Sequence, residues 1–153
     1  NTKYDGDFIV DTKFTQSELI NGIKAGQLLF HNNSGDPYVL TDINSFTTIT
    51  IYRNDDFQSN QVIRVLDQIG NDIALLFNKK HLGKSRNTSS GREGLWKDIV
   101  AHHQELERIE AIENFDPKKV TVEKGLTKKS VVVTDPVTPV ACMEILYMTV
   151  VVQ

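Results

Sequence analysis

Gly83-Lys84-Ser85 matches the closing residues of a phosphate-binding loop, where backbone N–H groups cradle a phosphate and a lysine adds charge. The first glycine of that motif would fall at position 78, which is Asn78, and the segment follows a helical pattern where the motif needs a strand. A nucleotide-binding hydrolase therefore ranks last among the functions the chain could have. His102 and His103 are adjacent, so on a helix they point about a third of a turn apart and cannot share a metal as an i, i+4 pair could. His31 and His81 are remote from them in sequence. Both His102 and His103 read as polar residues of a helix surface or an interface. Glu105, Glu107, Glu110 and Glu113 alternate with Arg108 and with the apolar Leu106 and Ile109, the pattern of a solvated or salt-bridged helix edge. Acid–base chemistry needs a carboxylate in a cleft, the opposite surrounding. Thr88-Ser89-Ser90 has no recognisable nucleophile partner, and Ser90 is better placed as a helix cap. No catalytic residue, cofactor or metal is expected, and the chain is not read as an enzyme.

Composition sharpens these exclusions. The 153 residues are 39% hydrophobic and 24% charged with a formal net charge of -3, which suits one folded domain over residues 1–153. A mildly acidic balance with no basic block gives no footprint for nucleic acid, and no stretch reads as a membrane insertion. Cys142 is the only cysteine, so an internal disulfide is impossible and a reducing compartment is the natural setting. Asn32-Asn33-Ser34 and Asn87-Thr88-Ser89 fit the glycosylation pattern but read as ordinary loops. The chain opens at Asn1 with strand-like sequence already under way, which reads as a piece of something longer.

The elements that would position these residues can be read from periodicity. Phe8-Ile9-Val10 predicts a short strand, and Thr15-Gln-Ser-Glu18 is a capping box that should open a short helix ending near Gly26. Two apolar runs around residues 27–31 and 38–40 predict a hairpin with a loop longer than the tightest type, and Thr47-Thr-Ile-Thr-Ile51 adds a third strand over 46–52. Val62, Ile63, Leu66, Ile69, Ile73, Leu76 and Phe77 recur at helical spacing. Ser90-Gly-Arg-Glu93 predicts a second capping box, opening a long helix with Leu95, Trp96, Ile99, Val100, Leu106 and Ile109 on its apolar stripe. Asn114, Asp116 and Pro117 stop it. Residues 120–123 and 130–134 predict another hairpin about Gly125, and residues 139–144 a short helical turn. The expected class is α+β: a mixed or antiparallel sheet packed against two long helices in an αα-hairpin, plus one short N-terminal helix.

The last run, residues 145–153, is apolar on both alternating faces. Leu146, Met148, Val150 and Val152 lie on one, Ile145, Tyr147, Thr149 and Val151 on the other. Such a strand is normally covered on both sides, since as an open edge it would template aggregation. The residues leave two readings open. It is the central strand of this domain's own sheet, or it completes the sheet of another subunit by β-augmentation.

Asp11-Thr-Lys-Phe-Thr-Gln16, Gly26-Gln-Leu-Leu-Phe-His31, the run from Ser59 to Ala74, Leu95-Trp-Lys-Asp-Ile-Val100, Lys128-Lys-Ser-Val-Val-Val133 and Val137-Thr-Pro-Val140 resemble the C-terminal part of contractile tail sheath proteins. Such proteins occur in myovirus-like phages, phage-like bacteriocins and defective prophages of Gram-positive bacteria. The resemblance spans almost the whole chain in texture and carries no catalytic signature. It implies the C-terminal assembly domain of a longer subunit that polymerises around a tail tube and contracts to drive the tube through a cell envelope. Its partners would be other sheath subunits and the tail tube protein, and its place a virion's contractile tail assembled in the host bacterial cytoplasm. Residues 145–152 would carry or receive an exchanged strand, and Lys128 and Lys129 could meet an acidic tube surface. Without a preceding arm the chain is expected to be a monomer or weak oligomer. A peptide-binding adaptor using an open sheet edge is the alternative.

Overall fold

The capping box at Thr15 forms as its residues dictate. In the computed structural model, which describes residues 2–152, α1 spans Gln16–Lys24. The Glu18 N–H donates to Thr15 Oγ1 at 3.3 Å, and Glu18 Oε2 accepts from the Thr15 N–H at 2.8 Å, so two orphan donors of the helix start are satisfied reciprocally. The Thr15 N–H, then the Thr15 hydroxyl, hold the Glu18 carboxyl below the usual carboxylate range. Gly26 follows with φ 71, and a Cβ there would stand 2.9 Å from Ser45 Cα, so both backbone and space require glycine.

The first hairpin pairs β1, Phe30–Asn33, with β2, Asp36–Val39, antiparallel, from Phe30 opposite Val39 to Asn33 opposite Asp36. Its loop is the two residues Ser34 and Gly35, both at positive φ, tighter than the sequence suggests. Asn32 makes this possible, because its side-chain oxygen accepts the Gly35 N–H at 3.0 Å. The strands expected at residues 8–10 and 46–52 do not form. Phe8, Ile9, Ile49, Ile51 and Tyr52 are exposed, and Thr50 bridges only Arg53. β-branched composition favours a strand only when an edge is there to pair with it.

α2 spans Asn60–Leu76 and runs into a single π turn, Phe77–His81. α3 spans Ser89–Arg108. Its N-cap is Thr88, whose hydroxyl accepts from the Gly91 N–H, and not Ser90, which lies inside the helix. The second hairpin, β3 Thr121–Lys124 with β4 Val131–Thr134, is antiparallel with Val122 opposite Val133. Residues 139–144 are not helical; Pro139 instead bridges Ile112. The class is α+β as expected, its β part being two separate two-stranded antiparallel sheets among the described residues.

The chain divides into two compact units, Asn1–Ile63 with Ala141–Gln153, and Arg64–Val140. The second has a conventional core. Leu95, Ile99 and Val120 are buried together, with Ile73, Leu76 and Phe77 from the helix before, and Val122, Val131 and Val133 from the hairpin, packed on them. Truncating a fully buried aliphatic such as Ile99 to alanine would cost about 2–5 kcal/mol. Trp96 closes the layer by donating its Nε1–H to the Val120 carbonyl at 3.0 Å. The first unit is thinly cored: among its described residues Val62 is the only large aliphatic that is fully buried.

Candidate functional site

The last segment leaves the first unit from a fixed point. Thr41 is buried, and its hydroxyl reaches both carboxylate oxygens of Glu144, at 2.8 and 2.7 Å. Beyond that anchor Ile145, Leu146, Tyr147, Met148, Thr149, Val150, Val151 and Val152 are all exposed, Val152 to 92%. They belong to neither sheet, so the reading as a central strand of the chain's own sheet is overturned. Gln153 lies outside the described residues. An apolar run of this length in water is unfavourable by roughly 1.5–3 kcal/mol for each large side chain left uncovered.

The loop after the π turn is organised around His81. Its Nε2 is 2.9 Å from Asp98 Oδ2 and its Nδ1 is 2.9 Å from Ser85 Oγ. A proton on Nε2 satisfies both contacts, with the Ser85 hydroxyl donating to Nδ1. This is the connectivity of a serine–histidine–carboxylate triad, and sequence spacing gave no hint of it because Asp98 comes from the next helix. Lys80 Nζ, however, holds Asp98 Oδ1 at 2.7 Å, neutralising the charge that would stabilise an imidazolium. Lys80 first, then His81, keep the Asp98 carboxyl below its usual range. Ser85, His81 and Asp98, with Lys80 beside them, act as a staple that ties the π turn and the loop after it to α3. The Gly83-Lys84-Ser85 segment is no phosphate cradle, since the N–H groups of Lys84 and Ser85 both turn inward to the His81 carbonyl at 3.0 Å.

His102 and His103 are not a surface pair. His103 is fully buried, at 0% exposure, and His102 is mostly so. Their Nδ1 atoms are 3.1 Å apart, and His102 Nε2 reaches Asp72 Oδ2 at 3.1 Å. His103 Nε2 lies 2.8 Å from Asp135 Oδ2, off the direction of a hydrogen bond, while Asp135 Oδ1 is buried without a partner. The signal was present in the stripe. His103 follows Ile99 by four residues and precedes Leu106 by three, which puts it on the buried face. The acidic edge is as expected: Glu105 pairs with Arg108, and Glu107 accepts the Phe115 N–H at 2.9 Å. Lys128 and Lys129 are exposed in the β3–β4 turn. No group of three or more histidine, cysteine or carboxylate residues could hold a metal among the described residues. Among the described residues no helix is long and apolar enough to cross a membrane.

Residues 53–153 match the family of phage tail sheath C-terminal domains, and the chain belongs to that family. The family is structural and not enzymatic. The chain is 28% identical over 102 residues to the tail sheath protein of Clostridium phage phiCD119, a match covering 67% of this chain and 29% of that protein. It is 26% identical over 157 residues to the phage-like element PBSX protein XkdK of Bacillus subtilis, covering 97% of this chain and 34% of the relative. The solved sheath tail protein of Desulfitobacterium hafniense superposes with a TM-score of 0.73 at 32% identity, covering 82% of this chain and 29% of that one. The chain thus spans about a third of the length of the curated relatives it matches.

Proposed function

We propose that residues 1–153 act as the C-terminal assembly domain of a longer sheath subunit, which polymerises around a tail tube and contracts to drive the tube through a cell envelope. The observation that carries this reading is the uncovered apolar run at residues 145–152. Extended, eight residues reach about 26 Å and offer a full row of backbone donors and acceptors. Added to the sheet of a neighbouring subunit, the run gains both a hydrogen-bonded ladder and cover for its two apolar faces. A head-to-tail contact of that kind does not close on itself and so builds a helix. The thin core of the first unit supports the same reading, since a small unit gains most from burial against a neighbour. In this scheme the subunits assemble in the host cytoplasm into the contractile tail of a virion or prophage-derived particle, and Lys128 and Lys129 face an acidic tube.

Electron microscopy of the full-length protein tests it. Wild type forms tubular polymers, and Val150→Asp or Val152→Asp leaves folded subunits that do not polymerise. Polymers of unchanged abundance from both variants would sink the strand-joining role.

A further inference from the structure

The loop before α3 carries a cluster that sheath assembly by strand exchange does not use. Arg86, Arg92 and Lys129 line one cavity of about 110 Å³, together with Ser85 and Asn87, and no carboxylate lines it. Among the described residues none of the three cations has an acidic side chain at ion-pair distance. Three positive charges gathered without a counter-charge repel one another, in a chain whose net charge is -3.

Each of the three is placed by a specific backbone device. Asn87 is central. Its amide donates to the Lys128 and Ser130 carbonyls at 3.2 and 2.8 Å, which seats Lys129 between them. Its side-chain and main-chain oxygens accept from Arg92 Nη1 at 3.1 and 3.4 Å. Arg86 is held by its carbonyl, which accepts the Thr88 N–H at 2.8 Å and lies so close over Gly91 that a Cβ there would overlap it. Arg92 is thus held by neutral oxygens, and no carboxylate balances the charge of any of the three.

We infer that the cavity binds a single oxyanion, a phosphate or carboxylate group, through Arg86, Arg92 and Lys129. Guanidinium groups match planar or tetrahedral oxyanions, and a lysine adds a point charge. The start of the 20-residue α3 at Ser89 adds its positive end. The volume is far below the roughly 300–1,000 Å³ of pockets for drug-sized ligands, which suits one anionic group and not the burial of a whole nucleotide. The Lys84 and Ser85 N–H groups do not cradle the anion, because both are already bonded to the His81 carbonyl.

Thermal unfolding of the 153-residue chain at fixed ionic strength provides the test, with inorganic phosphate and acetate as probes and chloride as reference. A saturable rise in Tm is expected, roughly 3 °C or more at ten times Kd. Arg86→Gln and Lys129→Gln, both at exposed positions, should each weaken the apparent Kd at least tenfold, while Lys24→Gln on α1 leaves it unchanged. Saturation by phosphate alone assigns the site to a phosphate group. Saturation by acetate at comparable concentration assigns it to a carboxylate such as an acidic side chain of another protein. Shifts that equal those of chloride, or that persist in both variants, overturn the site.

Discussion

The Thr41 hydroxyl bonds the Glu144 carboxylate across 103 residues of sequence, and this one contact fixes where the apolar end of the chain departs from the first unit. Thr41 is buried whereas residues 144–152 are all exposed. Thr41→Val keeps the shape and removes the hydroxyl donor, so folding stability should fall by about 1 kcal/mol. Limited proteolysis should quicken within residues 141–144 and stay unchanged in the β1–β2 hairpin. Equal cleavage in both proteins would show that the anchor does not hold the segment.

His103 should be far more sensitive to substitution than its neighbour. His103→Ala opens a cavity beside Phe115, whose ring centroid is 5.1 Å away, and deprives Asp135 of its close polar neighbour. Urea denaturation should show a loss of about 2–4 kcal/mol. His102→Ala, partly exposed and touching Asp72 from the helix edge, should cost about 1 kcal/mol. Equal losses at the two positions would argue against the buried role of His103.

What could be read from sequence follows how local its cause is. The α1 capping box, the glycine stop at Gly26 and the hydrophobic stripes of α2 and α3 rest on contacts within a few residues, and all were legible. The β-branched run at 46–52 failed because a strand needs a distant partner, which composition cannot supply. The start of α3 was misplaced by two residues because Thr88 and Ser90 are both good caps; the approach of the Arg86 carbonyl to Gly91 decides between them. The dual-faced apolar end was legible as unusual, but its exposure was not, since nearest-neighbour pattern is the same for a central strand and an uncovered one. The staple of Ser85, His81 and Asp98 was invisible, as its members are separated by a turn and brought together by α3.

That staple gives an acid-dependent signature. The Asp98 carboxyl is held below its ordinary value, chiefly by the Lys80 ammonium, so the folded state binds its proton less readily than the unfolded state. The resulting stability is fully present above the ordinary aspartate range near pH 4 and is lost as pH falls through the depressed folded value. Asp98→Asn should lower stability by about 1–2 kcal/mol at pH 7. The gap to wild type should close when the comparison is made between pH 4 and pH 2. A constant gap across that range would mean that the charge of Asp98 is not what stabilises the turn.

Two glycines of α3 separate helix propensity from packing. Alanine in place of glycine within a helix is worth about 0.8–1 kcal/mol in its favour. At Gly94 the nearest outside atom to an added Cβ is His81 Cε1 at 4.0 Å, an ordinary contact, so Gly94→Ala should stabilise by most of that amount. At Gly91 the added Cβ would overlap the Arg86 carbonyl oxygen, a backbone atom that cannot step aside without dragging the loop. Gly91→Ala should therefore destabilise by about 1–3 kcal/mol despite its better propensity. It should also loosen the 82–88 loop, seen as faster hydrogen exchange at the Thr88 N–H that donates to Arg86. Opposite signs for two identical substitutions three residues apart would establish that this loop is seated on the first turn of α3. A gain in stability at both positions would show that it is not.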